Sequence, residues 1–152
     1  MRAIIQVQTA PFDAGAEIER LHASNPRVGA IACFVGVARD LNDGAEVTGL
    51  TLEHYPQMTQ KAISEIVERA QKRWAILDAT VIHRVGTLRP TDPIVLVIVA
   101  SAHRRDAFEA CAFIMDYLKT RAPFWKKERT RDGERWVEAR TSDEAAVDRW
   151  QR

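Results

Sequence analysis

PIVLVIVASAHRRDAFEACAFIMDYLKTRAPFWKKERT, residues 93–130, holds in succession the three kinds of element from which this fold has to be built. Residues 93–102 form an almost unbroken apolar run, the pattern of a strand covered on both faces. Residues 104–122 follow helical spacing, and Pro123 is expected to end the helix because the residue before a proline disfavours helical geometry. From residue 124 the pattern alternates: FWKKERT against RWVEA at 135–139, around Asp132-Gly133, predicts a hairpin.

Working outward, AIIQVQT (3–9) reads as a strand, and residues 12–25 as a helix capped by Asp13 and stopped at Asn25-Pro26. VGAIACFVG (28–36) has the continuous apolar character of a buried strand. It leads into a polar loop over 37–46 with an Asp43-Gly44 turn signal, and 47–55 then alternates as a strand. Over 58–74, Met58, Ala62, Ile66, Ala70 and Trp74 recur every four residues beside Ile63 and Val67, which predicts an amphipathic helix. A strand over 79–86 follows, and a terminal helix over 141–150 opens with Thr141 and Glu144 in capping-box positions. The expected architecture is α+β: one domain over 1–152 with a mixed sheet, two principal helices and a C-terminal hairpin.

Composition narrows function by exclusion. Twenty-two Lys plus Arg against 21 Asp plus Glu leaves no general field to drive the chain onto nucleic acid or membrane. No run approaches the ~18 apolar residues of a membrane span, and the N-terminal apolar run is too short for a signal peptide, so a cytoplasmic protein is expected. Cys33 and Cys111 lack metal-ligand spacing and are expected to be buried free thiols. Any anion site must then be local. Residues 101–135 carry nine basic against six acidic residues, interleaved with Met, Tyr, Phe and Trp.

Within that segment Phe108, Ala112, Met115 and Lys119 fall at spacings of four, three and four, which puts Lys119 on the buried stripe of its helix. Such a lysine either snorkels to water or sits in a partly apolar pocket, where its amine can act near neutral pH. Alternation sends Lys126 and Glu128 to one face of the hairpin and Trp125, Lys127 and Arg129 to the other. As neighbours, Lys126 and Glu128 could form no more than a solvated ion pair. His103 and Arg104 stand where the apolar strand turns into the helix, either an exposed basic cap or an anion site at a helix N-terminus. Arg39 follows a strand and Gly36 in the same way.

LEHYPQMTQKAISEI, VIHRVGTL, SAHRRDAFEA and above all FIMDYLKTRAPFWKKE with RWVEA closely resemble the large, catalytic subunit of the molybdopterin synthase family, from about Val28 to Arg140. The resemblance implies an α/β-hammerhead type of fold and a sulfurtransferase that converts cyclic pyranopterin monophosphate into molybdopterin by inserting two dithiolene sulfurs. It implies a small ubiquitin-like sulfur-carrier subunit ending in a Gly-Gly thiocarboxylate, with a homodimer of large subunits carrying one carrier at each outer end. By position, it makes Lys119 and Lys126 the catalytic lysines. The substrate pocket is implied to comprise Val37, Ala38, Arg39, His103, Arg104, Lys119, Lys126, Lys127 and Glu128, with His103 and Arg104 facing a pocket completed by the second subunit. Larger residues are frequent in the family where this chain has Ala38.

No resident cofactor or metal is expected, since the partner supplies the sulfur. Met115, one turn before Lys119, is expected to line the slot that admits the carrier's tail. Two other classes compete: a nucleic-acid binder using the basic, aromatic hairpin, and a non-catalytic adapter for the carrier. Near-neutral charge and 7% aromatic content argue against the first, and the lysine pair against the second.

Overall fold

A computed structural model describes residues 2–42, 44–122, 124–137 and 141–151, with backbone alone for residues 2, 41, 42, 45, 141 and 142. The roles expected of Asp43, of Pro123 as a helix stop, of residues 138–139 in the hairpin and of the Thr141 side chain in a cap lie outside the described residues. In chain order the elements are β1 (Arg2–Gln8), α1 (Ala14–His22), β2 (Ala30–Val37), β3 (Leu41–Asn42), β4 (Ala45–His54), α2 (Pro56–Arg73), β5 (Asp78–Arg84), β6 (Gly86–Leu88), β7 (Pro93–Ser101), α3 (Arg104–Arg121), β8 (Phe124–Thr130), β9 (Gly133–Val137) and α4 (Thr141–Asp148), with a 3-10 turn at Arg149–Gln151.

The architecture is α+β, as expected, but the strands divide into two sheets. The first has the order β1-β5-β7-β2, with β1 and β5 parallel and the other pairs antiparallel. The second has the order β3-β4-β8-β9, with β6 also pairing to β4. Strand alternation assigns the faces of the first sheet. Ala79, Val81, Val97 and Val99 pack with α2 and α3 in one buried cluster, whereas Ile82, Leu96 and Ile98 pack under α1 against Leu21, Phe12 and Ile18. Both faces of β7 are therefore covered, which is why its sequence shows no alternation.

Asp13 caps α1, its Oδ1 accepting from the Ala16 N–H at 3.0 Å. That helix ends at His22, before Asn25-Pro26, and a turn in which the Asn25 N–H donates to the His22 carbonyl follows. At the other end of the chain Thr130 pairs with Gly133 across Arg131-Asp132. Gly133 has φ +110°, a conformation that L side chains rarely adopt and that glycine takes without a Cβ in the way.

Four expectations about burial are corrected. Met58 is 62% exposed, because α2 starts at Pro56 and its buried face runs through Thr59, Ile63, Ile66, Val67 and Ala70. Phe108 is 66% exposed and Lys119 is exposed, so the line from Phe108 to Lys119 is not the buried stripe of α3. Its buried residues are Ala107, Ala110, Cys111, Phe113, Ile114, Met115, Tyr117 and Leu118, too broad a face for one stripe, since the helix packs against the sheet, α2 and α4 together. Cys33 is exposed rather than buried, because β2 is an edge strand of its sheet. The polar stretch after β2 is not all loop: it contains β3, which pairs with the start of β4.

Candidate functional site

The antiparallel register decides which residues meet. Val95 pairs with His83 on one side and Gly36 on the other, and Val37 pairs with Pro93. The end of β5, the start of β7 and the end of β2 therefore share one end of the sheet. From the opposite end of β7, α3 runs back across the sheet and delivers its last turn, with Lys119, to that same end. The chain then enters β8, where Phe124 pairs with His54, Lys126 with Leu52 and Glu128 with Leu50.

His83 is buried and faces the α3 side, like Ala79 and Val81 before it. Its Nδ1 lies 2.8 Å from the Arg84 carbonyl, an acceptor only, so Nδ1 carries the proton and Nε2 keeps its lone pair. The ring stacks on Phe124 at 3.8 Å between centroids and 18° between planes. Phe124 stacks in turn towards His54 at 6.4 Å and 27°. Burial pushes His83 down to about 4; the hydrogen bond to Arg84 opposes this, and the nearby charges of Lys119 and His54 add to it. The imidazole is thus neutral beside Lys119 at neutral pH.

Glu128 is not half of a solvated pair. It is 2% exposed, on the inner face of β8 beside the apolar cluster of Leu50, Leu52 and Leu88. Arg135 Nη2 donates to its Oε1 at 3.2 Å, and Lys126 Nζ stands 3.9 Å from its Oε2. A buried carboxylate needs such partners, because desolvation would otherwise cost several kcal/mol. Lys127 points to the other face, 3.3 Å from Glu134 and with its ammonium 5.0 Å from the centre of the Trp136 ring. Hydrogen bonds from Arg129 and then Lys127 hold the exposed Glu134 carboxyl below its ordinary range.

The loop after β2 is tied down through Ala38. Its N–H donates to the Asp92 carbonyl at 2.9 Å, and its carbonyl accepts from the Thr91 N–H at 2.8 Å. Thr91 has φ +78°, a strained conformation for a β-branched residue held by this turn. Ala38 is buried, and Val37 and Arg39 on either side of it are exposed. Arg39 and Lys119 make no ion pair with a carboxylate among the described residues, which leaves both cations available to an anion.

His103 and Arg104 do not join this group. His103 is the N-cap of α3, without a side-chain cap hydrogen bond, and Arg104 is about 22 Å from Lys119 at 1.5 Å per helical residue. Met115 is 8% exposed and belongs to the main core cluster. Cys111 is pushed up to about 12, by burial first and then by Cys33, and burial also raises Cys33. Neither thiol is poised as a thiolate nucleophile. Among the described residues no group of three or more His, Cys, Asp or Glu could hold a metal ion, and no helix is long and apolar enough to cross a membrane.

The reading of the sequence missed His83 and Phe124. The signal for His83 was a titratable residue inside an otherwise apolar strand, and for Phe124 its place between Lys119 and Lys126 in the chain. Neither spacing reveals that the two rings meet.

In this α+β fold of two sheets, the end of α3 carries Lys119 and the strand β8 that follows it carries Lys126. The chain belongs to the MoaE protein family, whose pattern it matches over residues 7–121. It is 61% identical over 146 residues to the molybdopterin synthase catalytic subunit of Ralstonia nicotianae, covering 96% of this chain and 83% of that one. A MoaE structure from Burkholderia ambifaria superposes with a TM-score of 0.84 at 54% identity, covering 99% of each chain. The complex of subunits 1 and 2 of molybdopterin-converting factor from Helicobacter pylori has a TM-score of 0.70 at 18% identity, covering 91% of each chain, and shares the fold.

Proposed function

We propose that this chain is the catalytic, sulfur-transferring subunit of a cytoplasmic molybdopterin synthase, acting on cyclic pyranopterin monophosphate with sulfur from a carrier's C-terminal thiocarboxylate. The observation that carries the reading is the placement of Lys119 at the end of α3 and Lys126 early in β8, at the same edge as Arg39. A cyclic phosphate and a thiocarboxylate are both anions, and Arg and Lys donors recognise them by charge-assisted hydrogen bonds. Transfer of sulfur from an acyl carrier develops negative charge on oxygen and sulfur, which ammonium groups fixed in place stabilise without reorganising. Glu128 keeps Lys126 in position from beneath, 3.9 Å away.

One chain supplies only part of this pocket. His103 and Arg104 act in the site of a second copy, because they stand about 22 Å along α3 from their own Lys119. The surface that suits a second copy is the edge strand β2, which exposes Phe34, Val35 and Val37 and leaves a row of backbone groups unpaired on one side. Exposed Phe108 on α3 adds to the same apolar surface. A twofold contact there would put two copies of α3 side by side and let the start of one approach the end of the other.

The deciding experiment mixes the protein with thiocarboxylated carrier and cyclic pyranopterin monophosphate and follows dithiolene product by mass spectrometry. Product dependent on all three components is expected. Its absence with authentic components would overturn the reading.

A further inference from the structure

The two lysines of the proposed site belong to different layers: Lys119 to the helix that covers the first sheet, Lys126 to a strand of the second. Something has to set their separation, since a displacement of about 1 Å at a reacting centre can cost a hundredfold in rate. Phe124 lies five residues after Lys119 and two before Lys126, on the same face of β8 as Lys126. Its ring stacks on His83 of the first sheet, with centroids 3.8 Å apart, and its centroid is 6.4 Å from that of His54, its cross-strand neighbour in the second.

Resting on that assignment of the lysines, we propose that His83 and Phe124 are positioning residues whose stacked rings join the two sheets at the site and fix where Lys126 stands relative to Lys119. The protonation of His83 supports this role. With Nδ1 committed to the Arg84 carbonyl, the ring is anchored to the end of β5 and cannot turn about its axis without breaking that bond. It is uncharged at neutral pH, so it adds no repulsion to Lys119, whose charge reaches it. A protonated imidazole there would face that charge.

A stack that only stabilised the fold would leave the chemical step alone, so the test separates kcat from binding. His83→Gln removes the ring and keeps a donor for the Arg84 carbonyl; Phe124→Leu removes the ring and keeps apolar volume; His83→Phe and Phe124→Tyr keep a stack. With thiocarboxylated carrier and substrate, His83→Gln and Phe124→Leu are expected to lower kcat about ten- to a hundredfold. Substrate KM and carrier Kd should stay within about twofold, and His83→Phe and Phe124→Tyr should restore most of kcat. Lys119→Ala is run beside them. If it is inactive while folded His83→Gln turns over at the wild-type rate, the positioning role is wrong and the lysine assignment stands. If Lys119→Ala itself is fully active, the underlying assignment is wrong. Should Phe124→Leu not fold, the His83 pair decides: equal kcat for His83→Gln and His83→Phe overturns the proposal.

Discussion

The two ends of α3 carry similar charges in opposite surroundings. At its C-terminal end Lys119 comes to an edge where His83 of β5 and Phe124, Lys126 and buried Glu128 of β8 gather. At its N-terminal end His103 and Arg104 are exposed, and the His103 side chain makes no capping bond. One end is furnished by the chain itself; the other presents exposed basic side chains. The difference teaches that a family of basic residues, however close in sequence, is not a site until the packing says which of them share a space.

The largest expected effect falls at the furnished end. Lys119→Ala should lower turnover at least about a hundredfold, the scale set by removing one stabilising donor from a developing anion. Thermal denaturation should move by no more than a few degrees, because the side chain is exposed. Lys126→Ala should also be severe, and it additionally leaves the buried Glu128 short of one cation. Wild-type rates in both variants would remove the contrast between the two ends altogether.

Mixing sharpens the contrast. If each site takes Lys119 from one copy and Arg104 from the other, equal amounts of Lys119→Ala and Arg104→Ala, refolded together, form mixed dimers with one intact site each. Assayed with substrate well below the wild-type KM, where both variants are nearly silent, activity should rise to about a quarter of wild type by statistical pairing. Light scattering on the free protein should give the mass of a dimer. A monomer, or no recovery on mixing, would confine the site to one chain.

The ends should also respond differently to acid. His83 is held at about 4 against an ordinary 6.5, so the unfolded chain takes up a proton that the folded chain refuses between those values. Stability should therefore fall as pH drops from about 6.5 to about 4, by about 3 kcal/mol from this group at 1.36 kcal/mol per unit, and no further below. Urea midpoints measured across that range check it, and His83→Phe should flatten the dependence.

Smaller effects are expected from the cations that bind rather than react. Arg39→Ala and Arg104→Ala should each weaken substrate by about 1.5–3 kcal/mol, roughly ten- to a hundredfold, with carrier affinity less affected. Titration calorimetry reads both. Met115→Arg, as a test of whether Met115 lines the carrier's slot, requires a stability measurement beside it, because Met115 is part of the core and an arginine there would be buried.

Much of this was legible from residue order. Asp13 as a cap, the burial of both faces of the 93–101 strand and the 124–137 hairpin all follow from local rules, since each depends on neighbours within a few positions. Division of Lys126 and Glu128 from Lys127 across the hairpin followed from alternation alone. The errors came where burial depends on what a second layer covers. Cys33 lies in as apolar a run as Val97, yet β2 is at the edge and β7 inside. Phe108 sits at helical spacing from Met115, yet the covered face of α3 is set by the sheet, α2 and α4 jointly.

By itself, then, the sequence determined the elements, the local concentration of cations and, through its motifs, the family, because these are encoded in spacing and side-chain chemistry. Only the tertiary structure decided that Lys119 and Lys126 reach one edge while Arg104 leaves it. It also decided that Glu128 is buried and that His83 meets Phe124. Those facts depend on strand register and on the direction in which α3 crosses its sheet, and both are settled by long-range burial of apolar faces that no local pattern records.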